Sequence, residues 1–218
     1  MSRTIKVDLF SDIVCPWCLV GAARLDAAIA RLPTDITVMV ENHPFFLDPE
    51  TPPEGEIIAE KLKRKYGRPP EAMWERLVEQ ARASGIDLDP RKQERSYPTA
   101  AAHTIIRHAR DGGRQHELAN AMAEAYFLDA RNISDPEVLA ELAAPFGFSR
   151  DHVLDLIGNP DEVEVTGREA IWAARQGITG VPFFIFDGRF GLSGCQPQEI
   201  FDRAFAVALS PDAENAAG

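Results

Sequence analysis

The sequence predicts an α/β protein whose sheet is assembled from the two ends of the chain around a long helical insertion. Three features of the sequence lead there. Strand-like runs occur near residues 4–10, 36–46 and 183–192. Between them, apolar residues recur at helical spacing for more than 100 positions. Neither terminal pair of strands makes a stable sheet alone, so the two pairs are expected to join.

Residues 4–10 alternate around Ile5, Val7 and Leu9, with Phe10 closing the run, and read as a strand. A helix follows from Pro16, with Leu19, Val20, Leu25, Ala28, Ile29 and Leu32 as its apolar stripe and Pro33 as its stop. Residues 36–40 are rich in β-branched side chains and form a second strand, continuing into His43-Pro44-Phe45-Phe46. A right-handed crossover makes these two strands parallel. Leu47 to Pro53, punctuated by Pro49, Pro52 and Pro53, reads as a loop.

Beyond the loop, Ile57, Ile58, Leu62 and Tyr66 make one helical stripe, and Met73, Trp74, Leu77, Val78 and Ala81 a second, entered through Pro69-Pro70 and left at Gly85. Ala102, Ile105, Ile106 and Ala109 make a third, ended by Gly112-Gly113, and Leu118, Met122, Ala125 and Tyr126 a fourth. Ser134-Asp135-Pro136 opens a short helix through Leu142, and Ser149 caps another through Ile157. The last helix of the block runs from about Asp161 to Gln176 and stops at Gly177. Strand character returns at Phe183-Phe184-Ile185-Phe186, and Asp187-Gly188 is a hairpin turn that pairs Arg189 to Leu192 antiparallel with it. A helix from Pro197 to Leu209 closes the fold, and 210–218 reads as a flexible tail.

With 218 residues, 45% of them hydrophobic, the chain buries a sizeable core without cross-links. Its 23 basic against 34 acidic residues give a net charge of −11, scattered along the chain, which disfavours a nucleic-acid partner. No window approaches the apolar length a membrane span needs. The first residues run straight into the strand with no apolar signal segment, so a cytoplasmic chain is expected.

Three cysteines make no disulfide framework, and two of them form the pair Cys15-Pro16-Trp17-Cys18 at the start of the first helix. That spacing puts both sulfurs about one turn apart on one side. Cys15 lies at the helix N-terminus, where unpaired N–H groups and the macrodipole favour a thiolate, and Pro16 suits the first helical position. Cys15 is therefore the expected nucleophile and Cys18 the thiol that resolves its mixed disulfide. A structural zinc site needs four ligands, and neither a second cysteine pair nor a metal-ligand spacing among the five histidines supplies them, so no metal is expected.

The cysteine pair after the first strand, with Gly180-Val181-Pro182 ahead of the Phe183–Phe186 strand and its Asp187-Gly188 turn, resembles the thioredoxin fold. The helical insertion resembles the DsbA branch, and the stretches 10–21 and 180–194 resemble its FrnE-type subgroup. The resemblance implies a thioredoxin-like domain from residues 1–50 and 178–209, interrupted by a helical domain at 51–177. It implies a thiol–disulfide oxidoreductase with Cys15 and Cys18 as its catalytic pair and no cofactor. Pro16, Trp17, Val181 and a cis Pro182 would bind substrate, the exposed Val181 backbone pairing with an extended peptide or glutathione. His103, in the helix Thr99 to Arg110, is carried over as a further substrate contact, although Tyr97-Pro98-Thr99 lacks the asparagine that accompanies it in the subgroup.

Two readings stay open for Cys195, a small buried hydrophobe or a third redox thiol. The expected partner is a thiol or disulfide, whether protein, glutathione or small metabolite, and the chain is a monomer or homodimer. Two other functions compete. Glutathione-dependent isomerases and transferases of the 2-hydroxychromene-2-carboxylate and kappa types resemble this architecture, but place serine where Cys15 stands. A redox sensor or holdase would use the same disulfide without turnover.

Overall fold

A computed structural model describes residues 3–67 and 69–210; the reading of 211–218 as a tail lies outside the described residues. Strand β1 (Arg3–Ser11) leads into helix α1 (Pro16–Ile29), and β2 (Ile36–Pro44) returns parallel to β1. The two C-terminal strands, β5 (Phe183–Phe186) and β6 (Phe190–Ser193), complete a four-stranded sheet in the order β2-β1-β5-β6, with β5 antiparallel to both neighbours. Helix α9 (Gln198–Leu209) closes it.

Alternation along the strands sorts side chains to two faces. Ile5, Val7 and Leu9 meet Phe184 and Phe186 on one face, under Ala22, Leu25 and Ala28 of α1 and Phe201, Ala204 and Phe205 of α9. Phe184 and Phe186 stack edge-on against Phe201 and Phe205 with ring centroids 5.0 and 5.3 Å apart. Burying each such ring stabilises the fold by about 1.5–3 kcal/mol. Phe10 points the other way, onto Ala173 and Ile178, with Phe183 beside it.

The hairpin between β5 and β6 turns through Asp187 and Gly188, with φ of 51° and 66°, the left-handed pair that a two-residue turn needs. The Asp187 carboxylate also accepts the Lys6 N–H at 2.8 Å, tying the turn to β1.

Between the halves lie α2 (Ile58–Tyr66), α3 (Glu71–Ala83), α4 (Ala100–His108), α5 (Gln115–Leu128), α6 (Pro136–Ala143), α7 (Arg150–Gly158) and α8 (Pro160–Arg175). The expected caps are in place: Asp135 accepts the Glu137 N–H, Ser149 accepts the His152 N–H, and Gly177 takes a φ of 83° after α8. Asn159 adds a cap not expected from the sequence and starts α8 at Pro160. The insertion also holds a two-residue antiparallel ladder, β3 (Glu56–Ile57) with β4 (Arg95–Ser96). Ile57, expected in a helical stripe, belongs to this ladder. Among the described residues no helix is long and apolar enough to cross a membrane.

Helix α1 is buried on two sides, which is why its apolar residues do not form one stripe. Ala22, Leu25 and Ala28 face the sheet, while Leu19 and Val20 join Ile105, Leu118, Met122 and Tyr126 in the core of the insertion. The helix carrying the cysteine pair is thus the wall shared by both cores.

Candidate functional site

Cys15 is the N-cap of α1, with φ −93° and ψ 108°, and Pro16 fills the first helical position. The Cys15 N–H donates to the Asp12 carbonyl at 3.0 Å, and the Cys18 N–H donates back to the Cys15 carbonyl at 3.0 Å. This tight turn brings both thiols to the same end of the helix. Both residues are buried, at 4% and 5% exposure, so accessibility alone does not separate them.

Their surroundings do. The Cys15 thiol points at the Val181 carbonyl, 3.8 Å away. The Val181–Pro182 peptide bond is cis, and the Pro182 carbonyl accepts the Gly194 N–H at 2.8 Å, which anchors the loop to the end of β6. On the helix side, a Cβ on Gly21 would come within 2.9 Å of the Pro182 ring, so glycine lets loop and helix touch. Cys18 faces inward. Burial first, and then the neighbouring Cys15 sulfur, pushes its thiol well above the ordinary range.

Behind Cys18 lies a cavity of about 20 Å³, lined by Asp12, Asn42, His103 and Asn120 as well as by Cys18 and apolar side chains. It has room for about one water. Asp12 is buried at 2% exposure. Its carboxylate accepts the Leu47 N–H at 2.8 Å and lies 3.3 Å from His103 Nε2. His103, expected as a substrate contact, is buried on α4, which packs against β2, and its ring reaches Asp12. Asp12 is the residue that sequence reasoning missed; its one local signal is a lone acid three positions before Cys15 in an apolar stretch.

Trp17 lies half-buried between the cysteines, under the Arg76 guanidinium of α3 at 5.8 Å. Cys195 is partly exposed, and burial pushes its thiol upward too. Away from these residues, Asp8, Glu41 and His43 have metal-ligand composition. The Lys6 ammonium sits among them, 2.9 Å from Asp8 and 2.6 Å from Glu41, so the group is an ion-pair network across β1 and β2.

The family model for the DSBA-like thioredoxin domain matches residues 6–206, and the chain belongs to that family. It is 33% identical to a probable DsbA oxidoreductase of Streptomyces coelicolor, covering 94% of this chain and 89% of that one with a TM-score of 0.83. It is 26% identical over 207 residues to the uncharacterised protein YwbO of Bacillus subtilis, covering 93% of this chain and 96% of that protein. A 2-hydroxychromene-2-carboxylate isomerase shares the fold at 13% identity and a TM-score of 0.71, over 97% of this chain and 100% of that one. One fold therefore hosts more than one chemistry, and the site's own residues must decide between them.

Proposed function

We propose that this member of the DsbA-like thioredoxin family is a thiol–disulfide oxidoreductase that cycles Cys15 and Cys18 between dithiol and disulfide. The observation that carries the reading is the Cys15 thiol aimed at the Val181 carbonyl, 3.8 Å away, beside a second thiol one helical turn on.

In the reducing direction the Cys15 thiolate attacks a substrate disulfide, forming a mixed disulfide and releasing one substrate thiolate. Cys18 then gives up its proton and attacks the Cys15 sulfur, which expels the second thiolate and closes the Cys15–Cys18 disulfide. Two electrons pass from the pair to the substrate, and the reverse sequence oxidises a dithiol. Asp12 and His103, which line the same cavity as Cys18, receive its proton in this scheme. Pro16, Trp17, Val181 and Pro182 border the reacting sulfur and bind the substrate around it, with the Val181 backbone as a pairing edge.

Turnover of insulin disulfides by the parent, Cys15→Ser, Cys18→Ser and Cys195→Ser proteins tests this. Loss in the first two variants and retention in the third is expected. Turnover that survives Cys15→Ser would overturn the reading, and isomerase activity surviving in both variants would favour the glutathione-dependent alternative.

A further inference from the structure

Helix α3 lies along α1 in a fixed register. Arg76, Gln80 and Ser84 follow one another at four-residue spacing, one line down α3. The buried Arg24 of α1 donates to Gln80 Oε1 at 2.8 Å and to Ser84 Oγ at 2.9 Å. The same guanidinium donates to the Gln196 carbonyl at 2.8 Å, in the segment that follows the Gly194 contact to Pro182. One buried side chain thus locks α1, α3 and the loop after β6 together. At the other end of the same line, Arg76 is held over Trp17, two residues from Cys15.

Arg76 is exposed, and among the described residues it has no carboxylate within ion-pair distance. Glu79, at i+3, is on the same helix face but outside ion-pair distance, and the positions four residues either side are Ala72 and Gln80. Several other exposed arginines are paired, such as Arg31 with Asp202 and Arg114 with Glu117. Among the described residues Arg82, Arg175 and Arg203 are as unpaired as Arg76, and what sets Arg76 apart is its place over Trp17. A net charge of −11 makes most of the surface repel anions. An unpaired guanidinium held over an aromatic ring has its N–H donors free, and such a fork can bind a carboxylate with two parallel bonds.

We propose that Arg76, held over Trp17, is a specificity-determining residue that selects disulfides carrying a carboxylate close to the reacting sulfur. The proposal rests on the oxidoreductase reading of Cys15 and Cys18 and adds the substrate's charge to it. Chemistry at the sulfurs is unchanged; the carboxylate pairs with Arg76 while Cys15 attacks the adjoining S–S bond.

Three small disulfides test it: bis(2-carboxyethyl) disulfide, neutral bis(2-hydroxyethyl) disulfide, and the dication cystamine. Each is mixed with the reduced protein, and oxidation of the pair is followed by tryptophan fluorescence. Because intrinsic reactivities differ, the readout is the carboxylate-to-neutral rate ratio compared between parent and variants. Arg76→Gln should lower that ratio about 5-fold, the scale of an exposed charge pair. Arg76→Lys should restore part of it, Arg76→Glu should raise the cystamine rate, and added salt should shrink the parent's preference. A ratio that stays within about twofold of the parent in Arg76→Gln would overturn the charge selection alone. A parent protein that the neutral disulfide fails to oxidise would overturn the oxidoreductase reading, and the selection with it.

Discussion

Replacing Gly21 by alanine should push the Val181–Pro182 loop away from the nucleophile. The new methyl would stand 2.9 Å from Pro182 Cγ and 3.3 Å from the Phe184 ring. Carbon atoms settle at about 3.5–4.0 Å, so the proline ring must retreat by roughly 0.6 Å or more. Overpacking of this kind costs about 1–3 kcal/mol. Alanine returns about 1 kcal/mol of helix propensity, leaving a net loss of about 1 kcal/mol. For a chain of this size that lowers Tm by about 3 °C. The loop's retreat lengthens the Cys15–Val181 contact, and misplacement on this scale slows reaction by roughly tenfold. Gly167 in α8 is the internal control, since nothing lies within 4 Å of its Cβ position. Gly167→Ala should therefore raise Tm by about 2–3 °C. Thermal melts and the rate of oxidation by bis(2-hydroxyethyl) disulfide measure both effects. A Gly21→Ala protein that is as stable as Gly167→Ala and reacts at the parent rate would rule out this coupling of helix to loop.

Asp12→Asn keeps the acceptor for the Leu47 N–H but loses the carboxylate beside His103. The mixed disulfide on Cys15 should then persist about 100-fold longer in acid-quenched samples read by mass spectrometry, and an unchanged lifetime would remove Asp12 from the proton route. Arg24→Met leaves the Gln196 carbonyl and Gln80 without their donor and should cost about 2–4 kcal/mol in urea unfolding; a loss under about 1 kcal/mol would contradict the clamp. The raised Cys18 thiol makes the reduced protein pH-sensitive. Folded Cys18 keeps a proton that the unfolded chain releases above about pH 8.5, so this contribution is complete below that pH and drains away as pH rises toward the folded value. Urea titrations from about pH 7 to about pH 10 should show a steeper decline for the reduced parent than for Cys18→Ala, and equal slopes would count against it.

The sheet was legible because its strands carry period-two alternation and its hairpin a turn that only Asp-Gly-type pairs make easily. Caps at Asp135, Ser149 and Gly177 placed helix ends for the same local reason. What escaped was long-range. The β3–β4 ladder pairs two residues with two, too few for any period. Arg24 sits between Ala23 and Leu25 and gives no sign of burial; its acceptors come from α3 and the β6 loop. Asp12 finds His103 91 positions away, so its role depends on a contact the local sequence does not contain. His103 entered through a family resemblance, and the packing of α4 turns it inward, toward that carboxylate.

The decisive experiment exposes reduced Cys18→Ser protein to a peptide disulfide and maps the product by mass spectrometry. A stable peptide adduct on Cys15 is expected, and in the parent protein its conversion to a Cys15–Cys18 disulfide. An adduct on Cys195, or none on Cys15, would contradict the assignment of Cys15 as the attacking sulfur.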